Sequence, residues 1–221
     1  VVFFSVGMLL TGSRGGLLSL MAGLSLMAIL FAWQGIYRRY SLVLLGLCVV
    51  AVIYGLTLGQ SGVAKTAKRF EHEAGLQERL AISQSVFPMV ADYCLAGTGL
   101  GTFNEAYTPY ALTPFAGRVE LVYAHNDWLQ TGAEMGVPGL LLMLGGTASL
   151  LGWAGRRWFV RRDPYVLGIG GGVLCGLVAL ALHGLVDFNL RIPANGLTAS
   201  LLIAVLVSVL RRKPSRGEPR E

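Results

Sequence analysis

The chain has 221 residues, 54% of them hydrophobic and only 14% charged, with a formal net charge of +6. A soluble domain carries about a quarter charged residues, so this composition excludes an ordinary water-soluble enzyme and indicates a protein of the membrane. The cysteines, Cys48, Cys94 and Cys175, are odd in number and contain no CxxC pair. They imply no disulfide framework and read as structural thiols.

Taken in chain order, Val1 to Thr11 (VVFFSVGMLLT) is apolar but too short to cross a bilayer. It lacks the basic n-region and A-x-A site of a cleaved signal peptide, and reads as the end of a helix in a larger protein. A hydrocarbon core needs about 20 apolar residues of helix. Five stretches qualify: Gly15 to Trp33, Ser41 to Gly59, Val137 to Gly155, Tyr165 to Leu185 and Ile192 to Leu210. Backbone groups in lipid must satisfy one another within the segment, so these runs are helices. The expected fold class is an all-α integral membrane protein: a polytopic transmembrane helix bundle with a helical cap. Its expected organisation is membrane helices over 1–59, a loop region over 60–136, three membrane helices over 137–210 and a basic tail over 211–221.

The connecting loops orient the bundle. Arg38, Arg39, Arg156, Arg157, Arg161, Arg162, Arg211, Arg212, Lys213, Arg216 and Arg220 all fall on one side, against Asp163, Glu218 and Glu221. That side carries +8 and the remainder of the chain −2. Short basic loops stay in the cytoplasm, so the positive charge is topological and implies no nucleic-acid partner. The outer side then holds the turn around Thr11 to Gly15, the long loop after Gln60 and the loop from His183 to Asn195.

In the long loop, Leu76, Leu80, Phe87 and Val90, with Ser83 between them, follow helical spacing. An amphipathic helix lying on the membrane or capping the spans accounts for them, and it carries Arg79. The following AGTGLGTF, with glycines at 97, 99 and 101, is either a plain tight turn or a set of backbone N–H groups aimed at a phosphate. It has no preceding strand and no GK[ST], so it is neither a dinucleotide fingerprint nor a P-loop. Tyr107, Pro109, Tyr110 and Pro114 read as an interfacial aromatic belt or as a sugar-stacking surface.

Two positions carry the sharper chemistry. TGSRGG puts Arg14 at the start of a span, where a charge is costly and either snorkels or serves a function. AHNDWLQTGAEMGVPG places His125, Asn126, Asp127 and Glu134 just before an apolar run. Imidazole is the usual side chain for accepting a proton near neutral pH. HGLVDFNLRIPAN adds His183, Asp187, Asn189, Arg191 and Asn195, with Asp187 and Arg191 spaced to pair with each other. There is no HExxH, no DxD and no GxSxG, and His72, His125 and His183 lack metal-ligand spacing. Outer-face arginines with one or two histidines suit an anion held by guanidinium forks while a base activates a hydroxyl.

These stretches resemble the O-antigen ligase/polymerase superfamily: TGSRGG opening a span, AHNDWLQTGAEMGVPGLLL running into another and HGLVDFNLRIPAN before the last. His125-Asn126, nine residues, then Gly136-x-x-Gly139 is the most specific part, and ERLAISQSVFPMVADYCLAGTGLGTFNEAYTPY is similar to the family's large periplasmic loop. The resemblance covers most of the chain and implies the C-terminal, catalytic-loop half of a larger inner-membrane protein. It implies a metal-independent, inverting glycosyltransferase without cofactor. The donor would be an undecaprenyl-diphosphate-linked glycan, and the acceptor hydroxyl would lie on lipid A-core, a growing glycan or a protein, at the periplasmic face. Arg14 and Arg79 match its diphosphate-holding arginines and His125 its histidine. Asn126, Glu134, Asp187 and Arg191 are the candidate substrate-binding residues. The Gly-Val-Pro-Gly tail departs from ligases of enteric type, so the acceptor stays open between ligase, polymerase and protein O-oligosaccharyltransferase. A small-anion or lipid-linked-sugar transporter is the competing class. Such proteins gather polar groups at the midplane, whereas here they gather at one face.

Overall fold

A computed structural model describes residues 13–35, 38–58, 76–111 and 123–212. The expectations for Val1 to Thr11, His72, Pro114, Lys213, Arg216 and Arg220 lie outside the described residues. Among those described, the regular structure is helical throughout: α1 (Arg14–Trp33), α2 (Arg38–Leu58), α3 (Leu76–Asp92), α4 (Phe103–Tyr107), α5 (Asp127–Phe159), α6 (Pro164–His183) and α7 (Pro193–Leu210), with short 3-10 turns at Thr108–Tyr110 and Asn189–Arg191. The protein is an all-α polytopic membrane protein. The expected spans Gly15 to Trp33 and Val137 to Gly155 lie within α1 and α5, α6 ends two residues before Leu185, α7 begins one residue after Ile192, and Gly59 lies outside the described residues. Helices α1, α5, α6 and α7 are long and apolar enough to cross a bilayer. Helix α5 runs on through Arg156 and Arg157, which sit in its last turn rather than in a loop. There their charge complements the negative end of the helix dipole.

The chain forms two compact units. One comprises residues 1–71, 151–182 and 198–221. In it α2 runs beside α1, and Ser13 caps α1 by accepting a hydrogen bond from the Gly16 N–H at 3.1 Å. Trp158 is fully buried among Leu30, Val166, Leu167, Leu174, Leu206 and Leu210. Its indole N–H donates to the Leu167 carbonyl at 3.0 Å, so the buried donor is satisfied, and Phe31 stacks on its ring at 6.0 Å. Gly171 permits this approach, because a Cβ there would meet Phe31 at 3.0 Å and Trp158 at 3.1 Å. Arg161, read above only as a topological charge, is buried and donates to the Leu210 and Arg212 carbonyls at 2.6 and 2.8 Å. It thereby closes the C-terminus of α7, whose last carbonyls have no intrahelical partner.

The other unit comprises residues 72–150 and 183–197. Helix α3 is present, and beside the apolar stripe expected to lie on the membrane or cap the spans it has a second one, which packs into a core. Ile82, Ser85, Val86 and Met89 point inward, against Phe103, Tyr107, Ala124 and Ala133. Leu80 and Phe87 are 54% and 60% exposed, Val90 is partly buried, and the Leu76 side chain is not described. The helix has two apolar stripes, and the core took the one bearing Ser85. That hydroxyl is satisfied twice, donating to the Ile82 carbonyl at 2.7 Å and meeting the Tyr107 hydroxyl at 2.5 Å.

Helix α5 is broken at Gly136 (φ 67°, ψ −176°). The break separates a first segment, Asp127 to Met135, from the apolar segment that begins at Val137. It strips partners from the last carbonyls of the first segment, and the glycine turn supplies them. Thr98 N–H donates to the Ala133 carbonyl at 3.0 Å, Gly99 N–H to that of Glu134 at 2.9 Å, and Val137 N–H to that of Cys94 at 2.7 Å. Gly97, Gly99 and Gly101 all have positive φ. Of the two readings of AGTGLGTF, the tight turn holds for these donors, which are used inside the fold.

A Cβ on Gly136 would lie 2.7 Å from the Cys94 carbonyl oxygen in a backbone region that L-residues rarely adopt. Gly136→Ala is therefore expected to destabilise the protein by about 2 kcal/mol or more, seen as a lower thermal midpoint in detergent. An unchanged midpoint would show that the break relaxes freely.

Candidate active site

The His125 backbone is unusual before its side chain is considered. Its φ is 50°, a value that only a few per cent of non-glycine residues adopt. The flanking residues hold it there. On one side, the Ala124 N–H donates to Gln130 Oε1 at 3.0 Å. On the other, Asn126 Oδ1 accepts from the Leu129 N–H at 3.0 Å and caps α5. The Asn126 amide donates to the Leu185 carbonyl at 2.9 Å, and the Asp127 N–H to that of Gly184 at 2.8 Å. These last two bonds bring the 183–195 loop against the start of α5.

That loop delivers Asp187 to the imidazole. His125 Nδ1 lies 3.6 Å from Asp187 Oδ1, while Asp187 Oδ2 lies 3.6 Å from Arg79 Nη1 and 3.8 Å from His183 Nε2. Arg79 also donates to the Val186 carbonyl at 2.9 Å. Phe188 meets the His125 ring edge-on at 5.0 Å and stacks on Tyr123 at 4.6 Å, fixing the ring plane. Burial pushes the Asp187 carboxyl up, but His125, the Phe188 N–H, Arg79 and His183 together outweigh it and hold the group below its ordinary value. Asp187 is thus an anion under physiological conditions. His125 Nδ1 and His183 Nε2 are buried without a hydrogen-bond partner, each facing the carboxylate across a gap slightly too long for a hydrogen bond.

A second cluster joins the same loop to α5, with its carboxylates buried. The Glu134 side chain is 0% exposed and pairs with Arg191 through Oε2 and Nη1. Its other oxygen accepts from Gln130 Nε2 at 2.9 Å. Arg191 reaches Thr131 Oγ1 at 3.3 Å, and its Nε lies 4.0 Å from Asp127 Oδ1. Asp127 Oδ2 accepts from the Leu190 N–H at 3.0 Å. Asp127, Thr131 and Glu134 form one stripe of the first α5 segment, and Arg191 plugs into it.

The expected site residues therefore separate. Arg79, His125 and Asp187 come together. Asn126 is engaged as a cap, and Glu134 and Arg191 are turned inward onto each other. The anticipated Asp187–Arg191 pairing is replaced by different partners for each. Arg14 is the first residue of α1, and its side chain is not described. Sequence reasoning gave no role to Phe188, Gln130 or Thr131, although the i, i+4, i+7 spacing of Asp127, Thr131 and Glu134 marks a polar stripe that needs a buried partner.

No curated protein sequence matches this chain. The family model described as O-Antigen ligase matches residues 1–144, which take in Arg14, Arg79, the His125-Asn126 pair and the Gly136 break. With its membrane-spanning helices, the chain belongs to the O-antigen ligase family of multi-pass membrane enzymes.

Proposed function

We propose that this chain carries the periplasmic catalytic centre of an inner-membrane glycosyltransferase that moves a glycan from an undecaprenyl-diphosphate carrier to an acceptor hydroxyl. The observation that carries the reading is the cluster in which one carboxylate, Asp187, lies within 4 Å of His125, His183 and Arg79. A carboxylate facing Nδ1 favours the tautomer with its proton there, leaving Nε2 as the basic nitrogen. Nε2 then takes the proton of the acceptor hydroxyl. The freed oxygen attacks the anomeric carbon, the bond to the diphosphate oxygen breaks, and the lipid diphosphate departs with the electron pair. The developing negative charge falls to Arg79, and the imidazolium formed on His125 is balanced by Asp187. In-line attack inverts the anomeric centre.

Asn126, Glu134 and Arg191 act in this scheme by placing the loop and the helix rather than by touching the sugar. The acceptor is lipid A-core, a growing glycan or a protein hydroxyl, and the test discriminates among them. The full-length protein is reconstituted in proteoliposomes with a lipid-diphosphate glycan and each acceptor in turn, and products are read by mass. One acceptor is expected to gain the glycan mass as undecaprenyl diphosphate is released. Movement of the intact lipid-linked sugar across the vesicle wall with no transfer to any hydroxyl would overturn the enzyme reading in favour of a transporter. Arg14→Ala in the same assay is expected to lose about as much rate as Arg79→Ala.

A further inference from the structure

Beyond the reaction, the unit that holds α3 and α4 carries an apolar surface that none of its described residues covers. Leu95 and Leu100 are 82% and 72% exposed. On α3, Leu80 and Phe87 point away from the core, and Tyr93 at its end is exposed as well. From Leu80 to Ala91 the sequence LAISQSVFPMVA contains no charge. Large exposed apolar side chains at this density, on a helix and the turn that directly follows it, indicate an interaction surface rather than scatter.

The geometry points to the lipid bilayer as the occupant: the turn over residues 93–101 and the outer face of α3 insert into the membrane interface as a wedge. The argument is continuity. The Val137 N–H donates to the Cys94 carbonyl at 2.7 Å, and a Cβ on Gly136 would meet Leu95 at 2.9 Å. Leu95 is therefore pinned at the level where α5 becomes an apolar span. The first lipid-facing side chains of that span, Val137, Leu141 and Leu142, are exposed in the same unit. The two surfaces form one apolar belt, and a protein partner would have to cover the end of a membrane span to cover Leu95. The turn is also suited to insertion. Its Thr98 and Gly99 N–H groups are bonded to the α5 carbonyls, so no unpaired amide from those two residues has to enter the interface. A short wedge with apolar tips and satisfied backbone suits the boundary between headgroups and acyl chains.

The test places a nitroxide label at Leu95→Cys, Leu100→Cys or Phe87→Cys in full-length protein whose native cysteines are replaced by serine. Each variant is reconstituted in nanodiscs of phosphatidylethanolamine and phosphatidylglycerol. Leu142→Cys serves as the lipid-facing reference and Glu105→Cys, an exposed residue of α4, as the aqueous one. Labels at 87, 95 and 100 are expected to be more accessible to dissolved oxygen than to a water-soluble nickel chelate, as at 142. Chelate accessibility at 95 and 100 equal to that at 105 overturns the proposal. The unaltered chain gives an independent reading. A photoactivatable lipid in the same bilayer is expected to label residues 93–101 as well as 137–150, and labelling of the span alone has the same overturning force.

Discussion

His125→Gly is expected to make the protein more stable and close to inactive at once. The histidine sits at φ 50°, where glycine pays no steric cost, so the substitution relieves strain of about 1 kcal/mol. The imidazole lost with it is the proposed base, and removing a positioned general base lowers turnover by about 100- to 10,000-fold. The two readouts move in opposite directions, which separates this role from a structural one. A histidine kept only for packing against Phe188 would leave transfer per folded molecule near its original rate when removed. The measurement is thermal unfolding in detergent alongside kcat in proteoliposomes. Retained turnover, or a clear loss of stability with proportionate loss of activity, would sink the assignment. Asp187→Asn provides the companion: it keeps the shape but removes the charge facing Nδ1, and is expected to lower kcat more than it raises KM.

Glu134→Ala is expected to produce the largest loss of stability. Glu134 is wholly interior, and its removal leaves the Arg191 guanidinium against Thr131 with only the more distant Asp127 carboxylate as counter-charge. Breaking one side of a buried pair costs about 3–5 kcal/mol, because the remaining ion is stranded. Arg191 retains some exposure, which places the expectation at the lower end of that range. The double variant Glu134→Leu with Arg191→Met removes both charges and should recover most of the loss. If Glu134→Ala instead leaves the melting transition in place and raises only the KM for donor or acceptor, the side chain meets substrate after all and the interior assignment fails.

The spans were legible in the sequence because twenty apolar residues in a row have few other uses. The start of the second α5 segment was legible at Val137 because the apolar run begins there, and the helix breaks one residue earlier. The stripe expected on α3 was only one of the two the helix carries, for a physical reason. Leu80, Ile82, Val86, Phe87, Met89 and Val90 fill two overlapping stripes, and periodicity alone does not say which one a core will take. The candidate site was legible in its residue types but not in its pairings. Asp187 and Arg191 stand four apart, which pairs side chains only on an α-helix. Here the chain between them enters a 3-10 turn at Asn189, and each turns to a different partner. The actual partner of Arg191, Glu134, is 57 positions away, a separation no local pattern encodes. Arg161 shows the same limit: a positive charge near a span predicts a side of the membrane and says nothing of the two carbonyls it closes.

The nine residues between Asn126 and Gly136 have a consequence of their own. Each residue of helix advances the chain about 1.5 Å and rotates it about 100°. Adding or losing one residue in that interval would swing the Asp127 and Thr131 side chains a quarter-turn or more out of line with Glu134, and carry the imidazole around the axis with them. Only a whole turn, three or four residues, would keep the polar stripe in phase, and it would shift the reactive nitrogen by about 5 Å along the axis. The interval thus works as a gauge block, setting the distance from the start of the apolar run to the base in steps of one helical pitch.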